Sequence, residues 1–235
     1  KWRKGPVDLM KQFGEAETKR LVDSYCTIYK EEIPVISSEK WKMDFVTLEI
    51  KDENAIITMN RPEDLNALNE DVIKQLDEKF TQAEKGSSVK TIFITGTGKA
   101  FVAGADIKFF IKNIKNNSLD KIVEFTSYGQ TVFEKIDKSK KKVVVILNGM
   151  ALGGGLELAL CADVILSTPK TSVAFPETGI GIYPGLGGTQ RTIPRVGKGL
   201  AKYLILTGKM LGAKDAEEIG LIDRDISAEE SFDIL

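Results

Sequence analysis

Short apolar strands and amphipathic helices alternate along this chain from Phe45 onward, and this alternation constrains the fold more than any other feature of the sequence. The segment 143–147 reads VVVIL, a run that is typical of a buried strand. A glycine-rich turn follows it and opens an apolar helix over about 153–162. Alternation of this kind predicts an α/β domain.

Four further strands are predicted from apolar runs between turn residues, at 45–51, 55–60, 90–95 and 164–167. A loop is predicted at 96–105. Asn69 is a candidate N-cap for a helix whose core face is Val72, Leu76, Phe80 and Ala83. A second amphipathic helix is marked by its apolar face, Ile122, Phe125, Val132, Phe133 and Ile136. Helices are also predicted near 199–206 and at 213–219, where Gly220 ends the second.

The first 43 residues differ from the rest and lack its glycine-rich character. Leu21, Tyr25 and Ile28 keep helical spacing, and Pro34 ends that stretch. Because the chain starts at Lys1 rather than at Met, we expect it to be a piece of a longer protein.

The sequence contains no histidine. This excludes a Ser-His-Asp triad, a Cys-His pair and the usual histidine-based zinc sites within this chain, and no metal is expected. Proton transfer must therefore fall to Glu, Asp, Lys, Tyr or Cys.

Charge and cysteine content set the broad class. With 33 Lys and Arg against 34 Asp and Glu, we expect no nucleic-acid partner. Cys26 and Cys161 form neither a disulfide framework nor a CxxC metal site. There is no signal peptide or apolar run long enough to span a bilayer, so a cytoplasmic location without membrane attachment is expected.

Two glutamates stand in apolar, glycine-rich surroundings. Glu157 lies in the segment 152–165, where Asp163 is the only other charge. Glu177 is the only charged residue of the segment 173–188, which is rich in glycine and proline. Burial can separate the pKa values of two carboxyl groups into an acid and a base. Taken alone, Glu157 is equally consistent with a buried structural carboxyl group, and Glu177 with a solvated turn.

The turn at Gly153, Gly154 and Gly155 follows a strand and opens a helix. Free N–H groups at a helix start can hold an oxyanion, although the same pattern suits a plain tight turn.

Four segments together carry a resemblance to a known family: NRPEDLNAL (60–68), GKAFVAGADIK (98–108), NGMALGGGLELAL (148–160) and FPETGIGIYPGLGGTQR (175–191). In this order and spacing they resemble the signature blocks of the enoyl-CoA hydratase (crotonase) family. The resemblance covers about 45–225 and implies a crotonase-like spiral of ββα units followed by the start of a helical trimerisation region.

The resemblance also implies a set of site residues. Glu157 and Glu177 match the two catalytic glutamates, Glu157 holding and activating the water and Glu177 protonating the α-carbon. The backbone N–H groups at Ala105 and Gly154 match the oxyanion hole, and Gly185 matches a supporting backbone position. Positions near coenzyme A (CoA) are matched by Leu65, Ala67, Lys99, Ala103, Asp106 and Lys108.

For the whole chain, the resemblance implies an acyl-CoA substrate, no bound cofactor, and a homotrimer or hexamer at full length. Family members usually continue past the point matched by Leu235, so we expect 44–235 to be a hydratase domain truncated at its C-terminus. Residues 1–43 are similar to the end of the 3-hydroxyacyl-CoA dehydrogenase part of fused dehydrogenase–hydratase proteins. We therefore expect 1–43 to be a helical linker or the tail of such an upstream domain.

The expected activity is reversible hydration of trans-2-enoyl-CoA to (S)-3-hydroxyacyl-CoA in fatty-acid oxidation or related metabolism. A Δ3,Δ2-enoyl-CoA isomerase is an alternative, although such members typically use a single glutamate. A non-catalytic acyl-CoA-binding domain is the alternative from another class.

Overall fold

The computed structural model describes residues 44–235 and nine residues before them. Those nine, all with helical backbone, are Ala16, Glu17, Lys19, Arg20, Leu21, Asp23, Ser24, Thr27 and Ile28. The predicted helix positions Leu21 and Ile28 are among them, whereas Tyr25 and Pro34 lie outside the described residues. The chain divides into two compact units, Lys1–Asp44 and Phe45–Leu235, and the second contains every candidate site residue.

Ten strands lie within the described residues of the second unit. They are β1 (Val46–Lys51), β2 (Asn54–Met59), β3 (Thr91–Gly96), β4 (Ala100–Ala103), β5 (Lys142–Leu147), β6 (Met150–Leu152), β7 (Val164–Ser167), β8 (Ser172–Ala174), β9 (Leu211–Gly212) and β10 (Arg224–Asp225).

The strands form two sheets. The larger has the order β1-β2-β3-β5-β7-β10 and is parallel except for the β1–β2 hairpin. The smaller has the order β4-β6-β8-β9, and only its β8–β9 pair is antiparallel. From β3 to β8 consecutive strands alternate between the sheets, since β3, β5 and β7 lie in the larger one and β4, β6 and β8 in the smaller. This is the expected α/β spiral of ββα units.

Seven helices accompany the sheets within the same part of the chain. They are α1 (Glu70–Lys85), α2 (Ile107–Lys115), α3 (Leu119–Asp137), α4 (Gly154–Ala159), α5 (Gly188–Thr207), α6 (Ala213–Glu218) and α7 (Ala228–Ile234). The predicted N-cap is confirmed, because the Asn69 side chain accepts a hydrogen bond from the Val72 N–H at 2.9 Å. Helix α1 packs on β1, β2 and α3, while α4 packs on β4, β6 and α5.

The core is continuous across both sheets and these helices, and Phe80, Phe101, Phe133 and Phe175 are fully buried in it. The apolar faces predicted for α1 and α3 are confirmed as core faces, apart from Ile122, which is only partly buried. Burial of these faces, rather than helix propensity, supplies most of the stability of such helices.

Two predicted segments differ from the structure. The segment 96–105, predicted as a loop, contains β4, which is buried and pairs with β6. The helix predicted near 199–206 begins at Gly188 and continues through a break at Gly197, where φ is 78° and ψ is 159°. Glycine tolerates this left-handed backbone, so one pattern of helical residues covers two segments that meet at an angle.

Candidate active site

Glu157 lies on the short helix α4 and is only 2% exposed. Its Oε1 atom accepts hydrogen bonds from the backbone N–H groups of Leu186, at 2.7 Å, and Gly188, at 2.8 Å. Two peptide donors therefore fix one oxygen of the carboxyl group in place. A buried carboxyl group held in this way is oriented as well as satisfied.

The glycines around Leu186 make this contact possible. A side chain at Gly188 would place its Cβ 2.8 Å from the Phe175 ring and 2.9 Å from Glu157 Cγ. Gly187 has a φ of 107°, a left-handed conformation that side chains disfavour. Glycine is thus required at 187 by the backbone conformation and at 188 by the close approach to Glu157 and Phe175.

The surroundings of Glu157 shift its protonation. Burial raises the pKa of the Glu157 carboxyl group to about 7, helped by the negative charge of Glu177. Hydrogen bonds from Gly188 and Leu186 and the positive charge of Arg191 act in the opposite direction. A group with a pKa near neutrality can both accept and release a proton at physiological pH.

Glu177 stands in a single turn of 3-10 helix, Pro176–Ile180, which follows β8. Its Oε1 atom lies against Gly153, where an added Cβ would be only 2.7 Å away. Its Oε2 atom is buried and has no hydrogen-bond partner among the described residues. Burial raises the pKa of the Glu177 carboxyl group, while a hydrogen bond from its own backbone N–H lowers it. An unsatisfied buried oxygen of this kind is typical of a functional group rather than of a structural one.

The backbone N–H groups of Gly154 and Ala105 come close together beside these carboxyl groups. Gly154 is the first residue of α4, so its N–H has no intrahelical acceptor. Leu68 pairs with Ala105 in a parallel bridge, and the two hydrogen bonds of that bridge use Gly104 and Asp106. The Ala105 N–H consequently points to the other edge, where a methyl group on Gly154 would lie 3.9 Å from the Ala105 nitrogen.

The residues matched to CoA positions lie in two segments of the chain, 65–67 and 99–108. Leu65 is 39% exposed and has a left-handed φ of 54°, while Ala67 is partly buried. Lys99 is exposed between β3 and β4. Lys108, at the start of α2, is also exposed, and its Nζ lies 3.2 Å from Asp64 Oδ1.

Two of the matched residues, Ala103 and Asp106, make hydrogen bonds within the protein. The Ala103 N–H donates to the Leu65 carbonyl at 3.0 Å. The Asp106 carboxylate accepts two hydrogen bonds from Arg61 at 3.1 Å and a third from the Lys108 N–H at 3.0 Å. Asp106 therefore ties the start of α2 to the loop that carries Leu65.

The sequence analysis did not predict the two residues that hydrogen-bond to the carbonyl groups of Gly185 and Leu186, next to the donors that hold Glu157. Gly185, predicted as a supporting position, accepts a hydrogen bond at its carbonyl from Gln130 Nε2 at 2.7 Å. Arg191 donates from Nη1 to the Leu186 carbonyl at 2.9 Å. Only the fold places Gln130 and Arg191 here, although the latter belongs to the quoted block GLGGTQR.

The described residues contain neither a membrane-spanning helix nor a cluster of possible metal ligands. No helix in that part of the chain is long and apolar enough to cross a membrane. Within the same residues, no three His, Cys, Asp or Glu side chains lie together as a metal site would require.

Comparison with known proteins agrees with this architecture. The family model for enoyl-CoA hydratase/isomerase matches residues 54–234. A crotonyl-CoA hydratase of Syntrophomonas wolfei is 40% identical over 186 residues, which are 79% of this chain and 70% of that protein. A short-chain-enoyl-CoA hydratase of Clostridium acetobutylicum is 38% identical over 190 residues, covering 80% of this chain and 71% of the relative.

Solved structures give the same result. The crystal structure of an enoyl-CoA hydratase from Thermoplasma volcanium superimposes with a TM-score of 0.76 at 35% identity, over 82% of this chain and 76% of that one. An enoyl-CoA hydratase structure from Bacillus anthracis gives a TM-score of 0.75 at 31% identity, over 81% and 74%. The chain belongs to the enoyl-CoA hydratase/isomerase family.

Proposed function

We propose that this chain catalyses the reversible addition of water to a trans-2-enoyl-CoA, giving the (S)-3-hydroxyacyl-CoA. The observation that carries the proposal is the pair of carboxyl groups at the start of α4, Glu157 on its first turn and Glu177 against Gly153, both with raised pKa values. Relatives named crotonyl-CoA hydratase and short-chain-enoyl-CoA hydratase support the same activity.

In this mechanism Glu157 holds the water. Both hydrogen bonds from Leu186 and Gly188 end on Oε1, so we assign the contact with the water to Oε2. Glu157 accepts a proton from water as the water oxygen bonds to C3 of the enoyl group. A protonated Glu177 delivers its proton to C2, and proton exchange afterwards returns the two carboxyl groups to their starting states.

The thioester oxygen becomes negatively charged as the new bond forms. We assign its stabilisation to the N–H groups of Ala105 and Gly154; a Cβ on Gly154 would lie 3.9 Å from the Ala105 nitrogen, which supports their acting together. Preorganised donors of this kind are worth about 10²–10³-fold in rate each. Two carboxyl groups and two N–H donors supply all the acid, base and charge stabilisation that hydration needs, so no bound cofactor is proposed.

We assign the CoA part of the substrate to the loops that carry Leu65, Ala67, Lys99 and Ala103, and to the start of α2 at Asp106 and Lys108. Lys99 and Lys108 are exposed and can reach phosphate groups without a desolvation cost. Asp106 acts by positioning, because Arg61 and the N–H of Lys108 already occupy its carboxylate.

The pathway, the assembly, the cellular location and the domain organisation of the longer protein are also proposals. The cytoplasmic location is proposed from the composition. The resemblance supports a role in fatty-acid oxidation, a homotrimer or hexamer at full length, and an upstream 3-hydroxyacyl-CoA dehydrogenase domain to which 1–43 would be a helical linker or the tail. The complete reading frame of the gene tests the last point, and sedimentation of the full-length product tests the assembly.

The test of the activity compares E157Q, E177Q and the unchanged chain for hydration of crotonyl-CoA, followed by the loss of enoyl-thioester absorbance. Each substitution removes one acid or base, so we expect kcat to fall roughly 10²–10⁴-fold while the Kd of a CoA ester changes little. E229Q, a substitution at an exposed position of α7, serves as the control and should retain normal turnover.

Other outcomes point to the alternatives. Faster conversion of 3-enoyl-CoA to 2-enoyl-CoA than hydration would identify an isomerase. Tight binding of CoA esters without either reaction would identify a binding domain. Normal turnover by E157Q or E177Q would refute the assigned roles even if hydration itself is observed.

A further inference from the structure

We propose that Arg191 is a positioning residue for Glu157, acting through the backbone segment 186–188 that holds the Glu157 carboxyl group. The proposal rests on the proposed function, since it concerns the same carboxyl group. Arg191 lies on the first part of α5 and does not hydrogen-bond to Glu157; it acts on the peptide groups that do.

The contact passes through a single residue, Leu186. Arg191 Nη1 donates to the Leu186 carbonyl at 2.9 Å, and the Leu186 N–H donates to Glu157 Oε1 at 2.7 Å. The guanidinium group also packs directly on the segment, because a Cβ at Gly187 would lie only 2.0 Å from Arg191 Nη1. Displacement of the guanidinium group would therefore displace the donors that orient Glu157.

Helix α3 holds the same segment from a second side. Asp137 Oδ2 lies 3.3 Å from Arg191 Nε, although the Nε–H is buried and does not point at a hydrogen-bond acceptor among the described residues. Gln130 donates to the Gly185 carbonyl, and the absence of a side chain at Gly129 makes room for Leu186, whose Cδ2 would be 2.8 Å from an added Cβ. The second half of α3, from Gly129 to Asp137, thus anchors both Arg191 and the backbone around Leu186.

Charge adds a second effect. The positive charge of Arg191 lowers the pKa of Glu157, against the larger effect of burial, which raises it. The other titratable groups facing Glu157 are Glu177, whose charge raises that pKa, and the Cys161 thiol, which donates to the Glu157 carbonyl. Among the described residues Arg191 is the only cation that acts on Glu157, so its removal should leave Glu157 protonated up to a higher pH.

Helix α5 provides a matched control one turn further on. Arg195 is as buried as Arg191, with 17% against 16% of the side chain exposed. It also bonds one carbonyl, that of Ala162 at 3.1 Å, and one carboxylate, that of Asp223 at 3.1 Å. Neither of these hydrogen bonds reaches the segment 186–188. Loss of a buried arginine as such would therefore affect both positions alike.

The experiment measures kcat and the pH dependence of kcat/KM for R191M, R191K and R195M. Because ionised Glu157 is the base, kcat/KM falls as pH drops through its pKa. For R191M we expect kcat to fall on the order of 10-fold or more and the acidic limb to move upward by about half a pH unit. R191K keeps the positive charge but loses the planar guanidinium group that packs on the segment 186–188. Its acidic limb should therefore stay in place while kcat falls. R195M should change kcat by no more than about twofold and should leave the acidic limb of kcat/KM in place.

A second measurement does not depend on turnover. In protein labelled with 13C at the glutamate carboxyl carbons, the Glu157 signal, assigned by its loss in E157Q, should titrate at higher pH in R191M than in R195M. An unchanged Glu157 titration in R191M, or the same shift in R195M, would overturn the proposal. If the unchanged chain does not hydrate enoyl-CoA, the proposed function fails while this titration still decides the role of Arg191. Should R191M not fold, R191K and D137N supply the comparison, and normal kcat in both would overturn it.

Discussion

At Glu157, burial and hydrogen bonding act on the carboxyl group in opposite directions. Burial raises the pKa of this group to about 7, from an ordinary value of 4.5, and the two backbone donors only partly offset that effect. The folded protein therefore binds a proton at Glu157 between about pH 4.5 and pH 7, where the unfolded chain has released it. The unfolding free energy must fall as pH rises through this window.

This leads to a prediction for E157Q. The amide does not ionise and its oxygen can accept the same two N–H groups, so the variant loses the pH-dependent penalty. Between pH 5 and pH 8, we expect its unfolding free energy to gain about 2 kcal/mol relative to the unchanged chain. Urea unfolding at both pH values measures the difference, and any pH-independent cost of the amide cancels.

A carboxyl group with the opposite shift is the control. Hydrogen bonding in the capping box of α7, chiefly from the Ser227 N–H at 2.8 Å, lowers the pKa of Glu230. Its contribution to stability is present above its unfolded pKa and lost as pH falls, so E230Q should lose stability at pH 8 and not at low pH. Equal pH dependence in E157Q and the unchanged chain would contradict the buried-carboxyl explanation.

At the residue scale, the sequence predicted the groups that stand out in their own segment. Glu157 and Glu177 are charges in apolar runs, and Gly154 lies in a glycine triplet, so each is visible without the fold. Arg191 and Gln130 lie on amphipathic helices, where polar residues are ordinary. Their roles depend on the positions of the Leu186 and Gly185 carbonyl groups, which only tertiary structure fixes.

At the scale of the secondary-structure elements, the glycines that open α4 have different tasks. A methyl group on Gly154 would meet the side-chain ends of Leu68, at 3.1 Å, and Leu186, at 3.4 Å. A methyl group on Gly155 would lie 2.0 Å from the Val102 carbonyl oxygen, which belongs to the backbone of β4. Side-chain ends can move by a few tenths of an ångström, whereas β4 is held in the smaller sheet by its pairing with β6.

We predict that G154A folds but loses on the order of 10²-fold in kcat, because the added methyl group presses on the Leu68 side chain and crowds the position beside the Ala105 nitrogen. We predict that G155A loses roughly 3 kcal/mol or more of unfolding free energy, because α4 must move away from β4. Thermal unfolding and turnover of the two variants separate the effects. G179A, where nothing lies near the added methyl group, is the control, and stable G155A would contradict the packing argument.

The strands that the sequence did not predict share one property, which is that they are short. The strands β4, β6 and β8 contain four, three and three residues, and none of them has the Val-Ile-Leu run by which β7, also of four residues, was predicted. They are strands because they pair with one another, Ala103 opposite Leu152 and Leu152 opposite Ala174. Long buried runs such as β5 were predicted correctly, because their apolar residues alone identify them.

At the scale of the whole molecule, the alternation of strands between two sheets ties the second unit together. From β3 to β8 each successive pair of strands gives one strand to each sheet, so neither sheet can be completed without the other. The described core cluster lies entirely within Phe45–Leu235, from Val46 to Ile222. A unit with its own continuous core of this size has what it needs to fold alone.

We therefore predict that residues 45–235 alone fold cooperatively, with an unfolding free energy within about 1 kcal/mol of that of the full chain. Both tryptophans, Trp2 and Trp41, lie outside this unit, so far-UV circular dichroism is the suitable probe and tryptophan fluorescence is not. Residues 45–187 are the negative control, since they lack α5 and its buried Leu204, a member of the core cluster. They should fail to show a cooperative transition. Loss of the transition in 45–235 itself would show that the segment before Phe45 is part of the folding unit.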